Sequence, residues 1–363
     1  MTDGSAQLPQ PEQSSRTTEI PPVRAAAGPS PTSSLAGGLL QFWSVPASRA
    51  LIALLFILAI GCIFNANGTF FKSDTHHDTL RQASVFGILA CGMTLVIISG
   101  GIDLAVGSVL GLVAVAFSIL TIHWGWSAWV CVPICLLLGA ACGMVSGGLT
   151  AWCGLQPFIA TLAMMVFARG LAKTISGGTK VAAFIQTADG SYRPVPLPRI
   201  FNFLDSRILG GDLAVVTVVF LVCVAVSWVE LSRHYWGRYL YAIGGNEEAA
   251  RLSGIKTKPA KTLAYVACGL MSAVAGICQA AQEGQGDPEA GVGYELTAIA
   301  IVVIGGTTLA GGRGGIGLTL LGTLTIGYLE KILSINAVPE ASRLMLTGAI
   351  IVVAVLAQRR RRS

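Results

Sequence analysis

Long apolar segments, each close to 20 residues, follow one another along most of this 363-residue chain. An α-helix needs about 20 mostly apolar residues to cross the hydrocarbon layer of a bilayer. The pattern therefore predicts an all-α membrane protein with about ten transmembrane helices. The candidate spans are residues 48–67, 80–99, 104–122, 127–151, 156–176, 213–231, 263–283, 294–311, 315–335 and 340–357.

The composition favours a bilayer over water as the surroundings. Hydrophobic residues make up 53% of the chain and charged residues 12%, about half of the roughly 25% that is typical of soluble domains. So few charges could not cover the surface of a soluble protein. The 44 glycines suit closely packed membrane helices, because small residues let backbones approach. The net charge of +6 sits in a few loops and the tail, so nucleic acid is not a predicted partner.

Three regions differ in composition. The first 38 residues are rich in Pro, Ser, Thr, Gln and Ala and lack an apolar run, which predicts a disordered cytoplasmic tail over residues 1–45. Residues 46–358 hold the apolar segments and form the predicted transmembrane domain. Residues 359–363 form a basic tail, which is also predicted to be cytoplasmic.

Lys and Arg side chains orient the predicted spans, because cytoplasmic loops are enriched in them. The segment 232–262 and the basic tail are the two best cytoplasmic candidates. Four predicted spans separate them and six precede the first, so both termini are predicted inside (N-in, C-in). The loop 177–212 is then predicted outside although it carries four basic residues, which counts against this orientation; the even number of spans supports it. The basic residues of the first candidate are Arg233, Arg238, Arg251, Lys256, Lys258 and Lys261.

Two glycine-rich segments resemble each other. VIISGGIDLAVG begins at Val96 and VVIGGTTLAGG begins at Val302. Both end a span that is predicted to run from outside to inside, so they would belong to two parallel repeats, a type of duplication found in transporters. Chance glycine richness explains the likeness equally well.

A short capped helix is predicted within the segment 232–262. Asn246 suits the N-cap position, and Gly254 suits a left-handed residue that closes the helix. A helix of about two turns is not stable alone in water. It therefore packs either on the protein's own membrane-surface layer or against a cytoplasmic partner. In the second interpretation the contacts are Arg251, Leu252 and Ile255.

The segment around this helix resembles the cytoplasmic coupling region of ribose-type sugar ABC importer permeases. Further segments resemble the same family in the same order along roughly residues 50–357. The chain differs from the family in its long N-terminal tail, in Ala105 where serine is usual, and in the longer loop 177–212. The resemblance therefore does not specify the sugar. The matching segments are GMTLVI (92–97) with GIDLAVGS (101–108), QPFIATL (156–162) with Arg169-Gly170, and GYEL (293–296) through GGTTLAGG (305–312).

The resemblance implies a permease subunit in a bacterial inner membrane that forms the translocation path for a monosaccharide. Its expected partners are membrane lipid, a second permease copy or homologue, cytoplasmic ABC ATPase subunits and a soluble sugar-binding protein. The sequence contains no GxxxxGK[ST] phosphate loop, so the ATPase is expected on another chain. The residues implied in ATPase coupling are Gly237, Arg238, Asn246, Glu247, Arg251, Leu252, Gly254 and Ile255.

Four polar side chains are candidates for the translocation path. Asp103 would cost about 2.5–3.5 kcal/mol at the bilayer centre, so it lies either on a path or at the cytoplasmic surface, where it caps the third span. Amide and carboxylate side chains form hydrogen bonds with sugar hydroxyls. Three such side chains lie at the end of the seventh predicted span, where they form either part of the path or an interfacial polar rim. These are Gln279, Gln282 and Glu283. Arg169 is predicted to snorkel to the interface.

An ion-coupled secondary transporter, driven through Asp103 or Glu283, is the alternative function. An enzyme is disfavoured because the four histidines lie outside the predicted spans and no nucleophile–base pair is evident. No catalytic residue, cofactor or metal site is predicted. The nine cysteines are predicted to be small apolar packing residues.

Overall fold

The structure is a computed structural model that describes residues 46–186 and 192–359. The predicted disordered tail and residues 360–363 of the basic tail lie outside the described residues. The helices are α1 (Pro46–Ile63), α2 (Ser73–Ile98), α3 (Val106–Ser118, continued by a π-helical turn at Ile119–His123), α4 (Ala128–Ala151), α5 (Pro157–Ser176), α6 (Arg199–Asp205), α7 (Val215–Ser232), α8 (Tyr235–Gly245), α9 (Glu247–Leu252), α10 (Thr257–Glu283), α11 (Tyr294–Gly305), α12 (Ile316–Ile335) and α13 (Glu340–Arg359).

The helices confirm an all-α membrane protein, and each predicted apolar segment lies on one of them. Among the described residues, seven helices are long and apolar enough to cross a bilayer: α2, α3 with its π-helical turn, α4, α5, α7, α10 and α12. Helices α1 and α11 are apolar but shorter. The count of ten crossings stays a prediction.

The eighth predicted span was too long. Residues 294–311 were expected to be helical, but α11 ends at Gly305 because Gly306 adopts a left-handed backbone with φ 109°. Gly311 is also left-handed, with φ 84°. The chain between α11 and α12 is irregular as a result, and α11 has only 12 residues.

Helix α10 lies at the centre of the bundle, where it packs against α4, α2 and α3. Small residues make the contact with α4 close: a Cβ added to Gly139 would lie 2.4 Å from the carbonyl oxygen of Gly269, and one added to Gly269 would lie 2.1 Å from that of Gly139. Only glycine fits at such a crossing. Seven of the nine cysteines are buried, as expected of packing residues, and Cys62 and Cys153 are exposed.

Small elements and ion pairs cover the end of the bundle where α5 ends and α7 begins. Strand β1 (Phe184–Gln186) pairs with β2 (Tyr192–Pro194), and β3 (Arg207–Ile208) pairs with β4 (Leu213–Ala214), both antiparallel. The Asp78 carboxylate in α2 forms ion pairs with the Arg207 guanidinium at 2.6 Å and with the Lys331 Nζ at 3.6 Å. These pairs tie the loop 177–212 to α2 and α12.

Candidate functional site

The short helix α9 forms as its sequence predicts. The Asn246 side chain accepts a hydrogen bond from the Ala249 N–H at 3.0 Å, which satisfies one of the free donors of the first turn. Gly254 adopts φ 84° just after the helix and reverses the chain. The helix has six residues.

Helix α9 packs against the protein itself, because α8 lies directly before it and contacts it. Leu252 and Ile255, the two apolar side chains predicted to contact a partner, differ in exposure. Leu252 is 78% exposed, whereas Ile255 packs against the core. Arg251 is exposed and pairs with Glu248 at 2.7 Å. Leu252 and Arg251 therefore face outward and remain open to a partner, as do the other exposed residues of the helix, Glu247, Glu248 and Ala249.

The other predicted coupling residues divide between surface and interior. Arg238 is exposed, and Glu247 pairs with Lys261 at 2.9 Å, which ties α9 to α10. Gly237 is buried in α8, where an added Cβ would lie 2.3 Å from the carbonyl oxygen of Glu230. It is a packing residue rather than part of the exposed surface.

Three chain segments meet backbone to backbone beside α9, and we call this contact the glycine junction (Ile98–Gly100, Gly244–Gly245 and Gly311–Gly312). The Gly312 N–H donates to the Ile98 carbonyl at 2.9 Å. A Cβ added to Gly244 would lie 1.9 Å from that same oxygen and 2.5 Å from the Gly312 nitrogen. The end of α8 is thus in direct contact with the end of α2 and with the chain that follows α11. The two segments that resemble each other in sequence also meet here.

Helices α3 and α11 both begin inside the bundle. An added Cβ on Gly276 in α10 would contact the carbonyl oxygen of Leu110. Leu110 lies just after the first turn of α3, so α3 itself begins about halfway along α10. An added Cβ on Gly107, in the first turn of α3, would lie 2.1 Å from the Gly291 carbonyl oxygen and 2.7 Å from a Glu295 carboxylate oxygen. The amino-terminal ends of α3 and α11 therefore meet at the same depth. Discontinuous helices of this kind surround binding sites in transporters.

Asp103 lies in the connector between α2 and α3 and is 3% exposed. Its carboxylate accepts a hydrogen bond from the Ala105 N–H at 2.9 Å, a turn that leads into α3. This contact is a turn before the helix and not a helix cap, because Ala105 is the N-cap residue of α3 and no side chain caps that helix. The carboxyl is buried in the bundle. Its role on the translocation path stays a prediction.

Arg169 does not snorkel, contrary to the expectation from sequence. Its guanidinium points inward from α5 and donates to the carbonyl oxygens of Pro288 and Ala290 at 2.5 and 2.7 Å. These carbonyls belong to the segment 284–293, which returns from the end of α10 into the bundle. A non-helical backbone at membrane depth must have its polar groups satisfied by protein, and Arg169 does this for two of them.

Two further cations of α5 and its following loop hold the same segment. Lys173 pairs with Glu289 at 2.6 Å, and Lys180 pairs with Asp287 at 2.9 Å. The hydrogen bond and charge of Asp287 raise the pKa of Lys180. Burial alone would raise the pKa of Asp287, but the hydrogen bonds from Lys180 and from the Glu289 N–H, together with nearby positive charge, hold it below its usual range.

A cavity of about 400 Å³ opens at the end of the bundle opposite α9. Its walls come from α2, α10, α11, α12 and α13. Gln279 and Gln282 line it, and Gln279 donates to Glu283 at 2.5 Å. The structure thus brings together three of the four predicted path residues and places Asp103 elsewhere. The aromatic side chains Phe86 and Tyr294, with ring centroids 4.5 Å apart, also line the cavity and were not predicted.

The chain is similar to sugar import permeases from several bacteria. Residues 76–355 match the family described as "Branched-chain amino acid transport system / permease component". Ribose import permease protein RbsC of Escherichia coli (strain K12) is 41% identical over 312 residues, which are 85% of this chain and 92% of that protein. Fructose import permease protein FruG of Bifidobacterium longum is 34% identical over 318 residues, 87% of this chain and 91% of that protein.

A third relative is named for the import of a different molecule. Autoinducer 2 import system permease protein LsrD of Yersinia enterocolitica is 31% identical over 306 residues, 84% of this chain and 89% of that protein. No solved structure matches the chain.

Proposed function

Because the chain belongs to the family of branched-chain amino acid transport system permease components, we propose that it is the transmembrane permease subunit of an ABC importer for a monosaccharide. The observation that carries the proposal is the 41% identity to a ribose import permease along 85% of the chain. Members of this family are transport permeases and not enzymes. The chain is accordingly a multi-pass protein of the bacterial inner membrane.

The proposed topology has ten crossings with both termini in the cytoplasm. The basic segment 232–262, which contains α9, supports placing that end of the bundle inside. Helix α10 starts just after α9 and is 27 residues long, about 40 Å at 1.5 Å per residue. The cavity at the far end of α10 then opens to the outside.

The proposed partners follow from these two ends. Cytoplasmic ABC ATPase subunits dock on α9 through Leu252 and Arg251, which are exposed. A soluble sugar-binding protein delivers its cargo at the cavity end, and a second permease copy or homologue completes the membrane part. The glycine junction would carry movement of α9 to α2 and to the chain between α11 and α12.

The proposed translocation path begins in the cavity. Gln279 and Gln282 line its wall, and Glu283 fixes the Gln279 amide. Amide groups suit sugar hydroxyls and bind them without charge, so that release stays easy. Asp103 would act on a deeper part of the path, beside the start of α3.

Uptake measurements test the proposed class. The chain alone in energised proteoliposomes should take up no sugar, and uptake should appear only with ATP, the ATPase subunits and the binding protein. Uptake by the chain alone that collapses with a proton or sodium ionophore would instead establish the ion-coupled alternative.

Partner capture tests the docking surface. The double variant Arg251→Glu with Leu252→Asp should lose co-purification with the ATPase but still insert into the membrane and elute as a folded protein. Leu209→Asp is a matched control, because Leu209 is 72% exposed but lies in the loop 177–212 at the opposite end. Retained ATPase binding in the double variant would contradict the docking role.

A further inference from the structure

A second cavity, of about 420 Å³, lies at the end of the bundle that carries α8 and α9. We call it the α7–α12 cavity, because the last turns of α7 and the first turns of α12 form most of its walls. The start of α1 and the middle of α8 complete them. Its volume lies within the range of about 300–1,000 Å³ that is usual for ligand pockets. The residues that line it include Ala47, Trp228, Leu231, Tyr241, Ile316 and Leu321.

The walls of the α7–α12 cavity are mostly apolar. Ser232 and Tyr241 are the lining side chains with a hydroxyl, and the Tyr241 hydroxyl already donates to the Gly314 carbonyl at 2.9 Å. Gly317 leaves the space open, because a Cβ added there would have no heavy atom within 4 Å. Close-packed proteins leave few voids larger than a water molecule, so a space of this size is expected to hold a molecule. A hydrocarbon chain suits such walls better than a sugar does.

The α7–α12 cavity lies at the level where lipid headgroups meet acyl chains. Trp228 lies one turn before the end of α7 and is 49% exposed, and tryptophan is enriched at the interface between membrane and water. The chain leaves α7 at Ser232 and enters the basic segment 232–262. In the proposed orientation this is the cytoplasmic interface. Because Trp228 and Gly317 are exposed, a lipid of the cytoplasmic leaflet can reach the cavity from the side.

Three arginines lie close to lining residues of the cavity. Arg233 directly follows the last lining residue of α7, and Arg313 lies two residues before the lining glycine that caps α12. Arg238 lies three residues before Tyr241 on α8, which places both on one face of that helix. All three arginines are exposed, and their guanidinium groups form no hydrogen bond or ion pair with another described residue.

The acidic side chains nearby already have partners. Glu230 in α7 lies 3.7 Å from the His234 ring, and both glutamates of α9 pair with basic residues. The surface beside the cavity therefore carries positive charge. A guanidinium group forms paired hydrogen bonds with phosphate oxygens, and basic pockets between helices on the cytoplasmic side bind anionic headgroups. These surroundings favour a lipid whose headgroup is negatively charged.

From the apolar walls, the interfacial depth and the free cations, we infer that the α7–α12 cavity binds one anionic phospholipid from the cytoplasmic leaflet. One acyl chain fills the space beside Gly317, and the phosphate lies toward Arg233 and Arg313. The inference goes beyond the proposed function and takes only the orientation from it. A lipid in this position joins α1, α7, α8 and α12. It contacts α8 through Tyr241, whose hydroxyl bonds to the chain between α11 and α12.

Lipid binding to the full-length chain in detergent tests the site. Native mass spectrometry compares phosphatidylglycerol with phosphatidylcholine that has the same acyl chains. One phosphatidylglycerol should bind per chain, about tenfold more tightly than phosphatidylcholine. The double variant Arg233→Gln with Arg313→Gln should lose that preference. Gly317→Phe should lose the tight binding altogether, because its ring occupies the cavity.

Gly148→Phe is the matched control. Gly148 lies near the end of α4, outside the cavity, and a Cβ added there also has no heavy atom within 4 Å. Equal affinity for the two lipids, or undiminished phosphatidylglycerol binding by Gly317→Phe, would overturn the inference. A Gly317→Phe chain that keeps its lipid but separates from a second copy would also overturn it, since the cavity would then be a contact between copies. Sugar uptake tests the proposed function separately from these results.

A fluorescence measurement covers the case in which Gly317→Phe harms folding. Phosphatidylglycerol with brominated acyl chains should quench the tryptophan fluorescence of the unaltered chain more than brominated phosphatidylcholine does. Trp228→Phe should remove this difference between the lipids. Trp129→Phe, which changes a 90% exposed side chain at the start of α4, should retain it. The same difference in both variants would overturn the inference.

Discussion

Gly244→Ala should disrupt the glycine junction, where the end of α8 contacts the end of α2 and the chain that follows α11. An alanine Cβ at this position would lie 1.9 Å from the Ile98 carbonyl oxygen, 2.5 Å from the Gly312 nitrogen and 3.0 Å from the Ile98 carbonyl carbon. All three contacts are with backbone atoms, which cannot rotate away. At least one of the three segments must therefore move by more than 1 Å, since 1.9 Å is 1.1 Å short of the 3.0 Å that real Cβ contacts respect.

The cost of that movement has two parts. Forcing one extra methyl group into a packed interior costs about 1–3 kcal/mol. The same shift strains the Gly312-to-Ile98 hydrogen bond, which contributes about 1 kcal/mol. We expect a loss of about 2–4 kcal/mol in stability and a fall of about 3–5 °C in the apparent unfolding temperature. We also expect loss of ATPase stimulation by the binding protein, because the end of α8 carries α9.

The adjacent glycine supplies the control. Gly245 ends α8, and an added Cβ there has no heavy atom within 4 Å. Gly245→Ala should therefore leave stability unchanged or raise it by up to about 1 kcal/mol through helix propensity. Both variants are compared by thermal unfolding in detergent and by ATPase assay in proteoliposomes. Equal behaviour of the two alanines would refute the reasoning from the glycine junction.

Three further perturbations probe the interior and the outer segment. Arg169→Met should destabilise the protein by about 2–6 kcal/mol, because two buried carbonyls lose a charged donor; Arg169→Lys should recover part of the loss, and a Met variant as stable as the parent would contradict the inward role. Asp103→Asn keeps the oxygen that accepts the hydrogen bond of the turn and removes the charge: we expect normal assembly with reduced sugar transport, whereas normal transport would leave Asp103 with its role in the turn alone. The Lys180–Asp287 pair should hold the segment 284–293 at intermediate pH. The pKa of Asp287 is lowered, so the stabilisation from its carboxylate is lost as pH falls below about 4. The pKa of Lys180 is raised, so the stabilisation from its ammonium group is lost as pH rises above about 10. The protection of the Gly286 amide, which is its hydrogen-exchange rate relative to that of an unfolded chain at the same pH, should fall at both extremes, and unchanged protection would count against the pair.

Apolar length alone was enough to locate the helices, because lipid leaves few alternatives to a helix of about 20 residues. A second local signal, helix capping, placed the ends of α9, because capping depends on neighbouring residues such as Asn246 and Gly254. Local chemistry of this kind is readable from a sequence. It also explains why Gln279, Gln282 and Glu283, which lie close together on one helix, could be grouped as neighbours; their role on the path stays a prediction.

What lay beyond prediction depends on contacts distant along the chain. Arg169 bonds to residues that lie 119 and 121 positions later, so its sequence surroundings suggested only an interfacial cation. Hydropathy measures how apolar a segment is and says nothing of the depth at which it begins. For that reason the half-length of α11 and the start of α3 within the bundle were not foreseen. Ile255 was predicted to contact a docking partner, but it packs against core residues that are distant along the chain.

The short helix α11 also constrains how the protein is made. Its 12 residues span about 18 Å, well under the roughly 30 Å of the hydrocarbon layer. The non-helical segment before it exposes carbonyls that lipid cannot satisfy. Such a stretch cannot partition into the bilayer on its own, so it must enter alongside helices that already stand there. Arg169 and α3, which receive it, are both synthesised earlier. The direction of translation therefore prepares the partners before the segment that requires them.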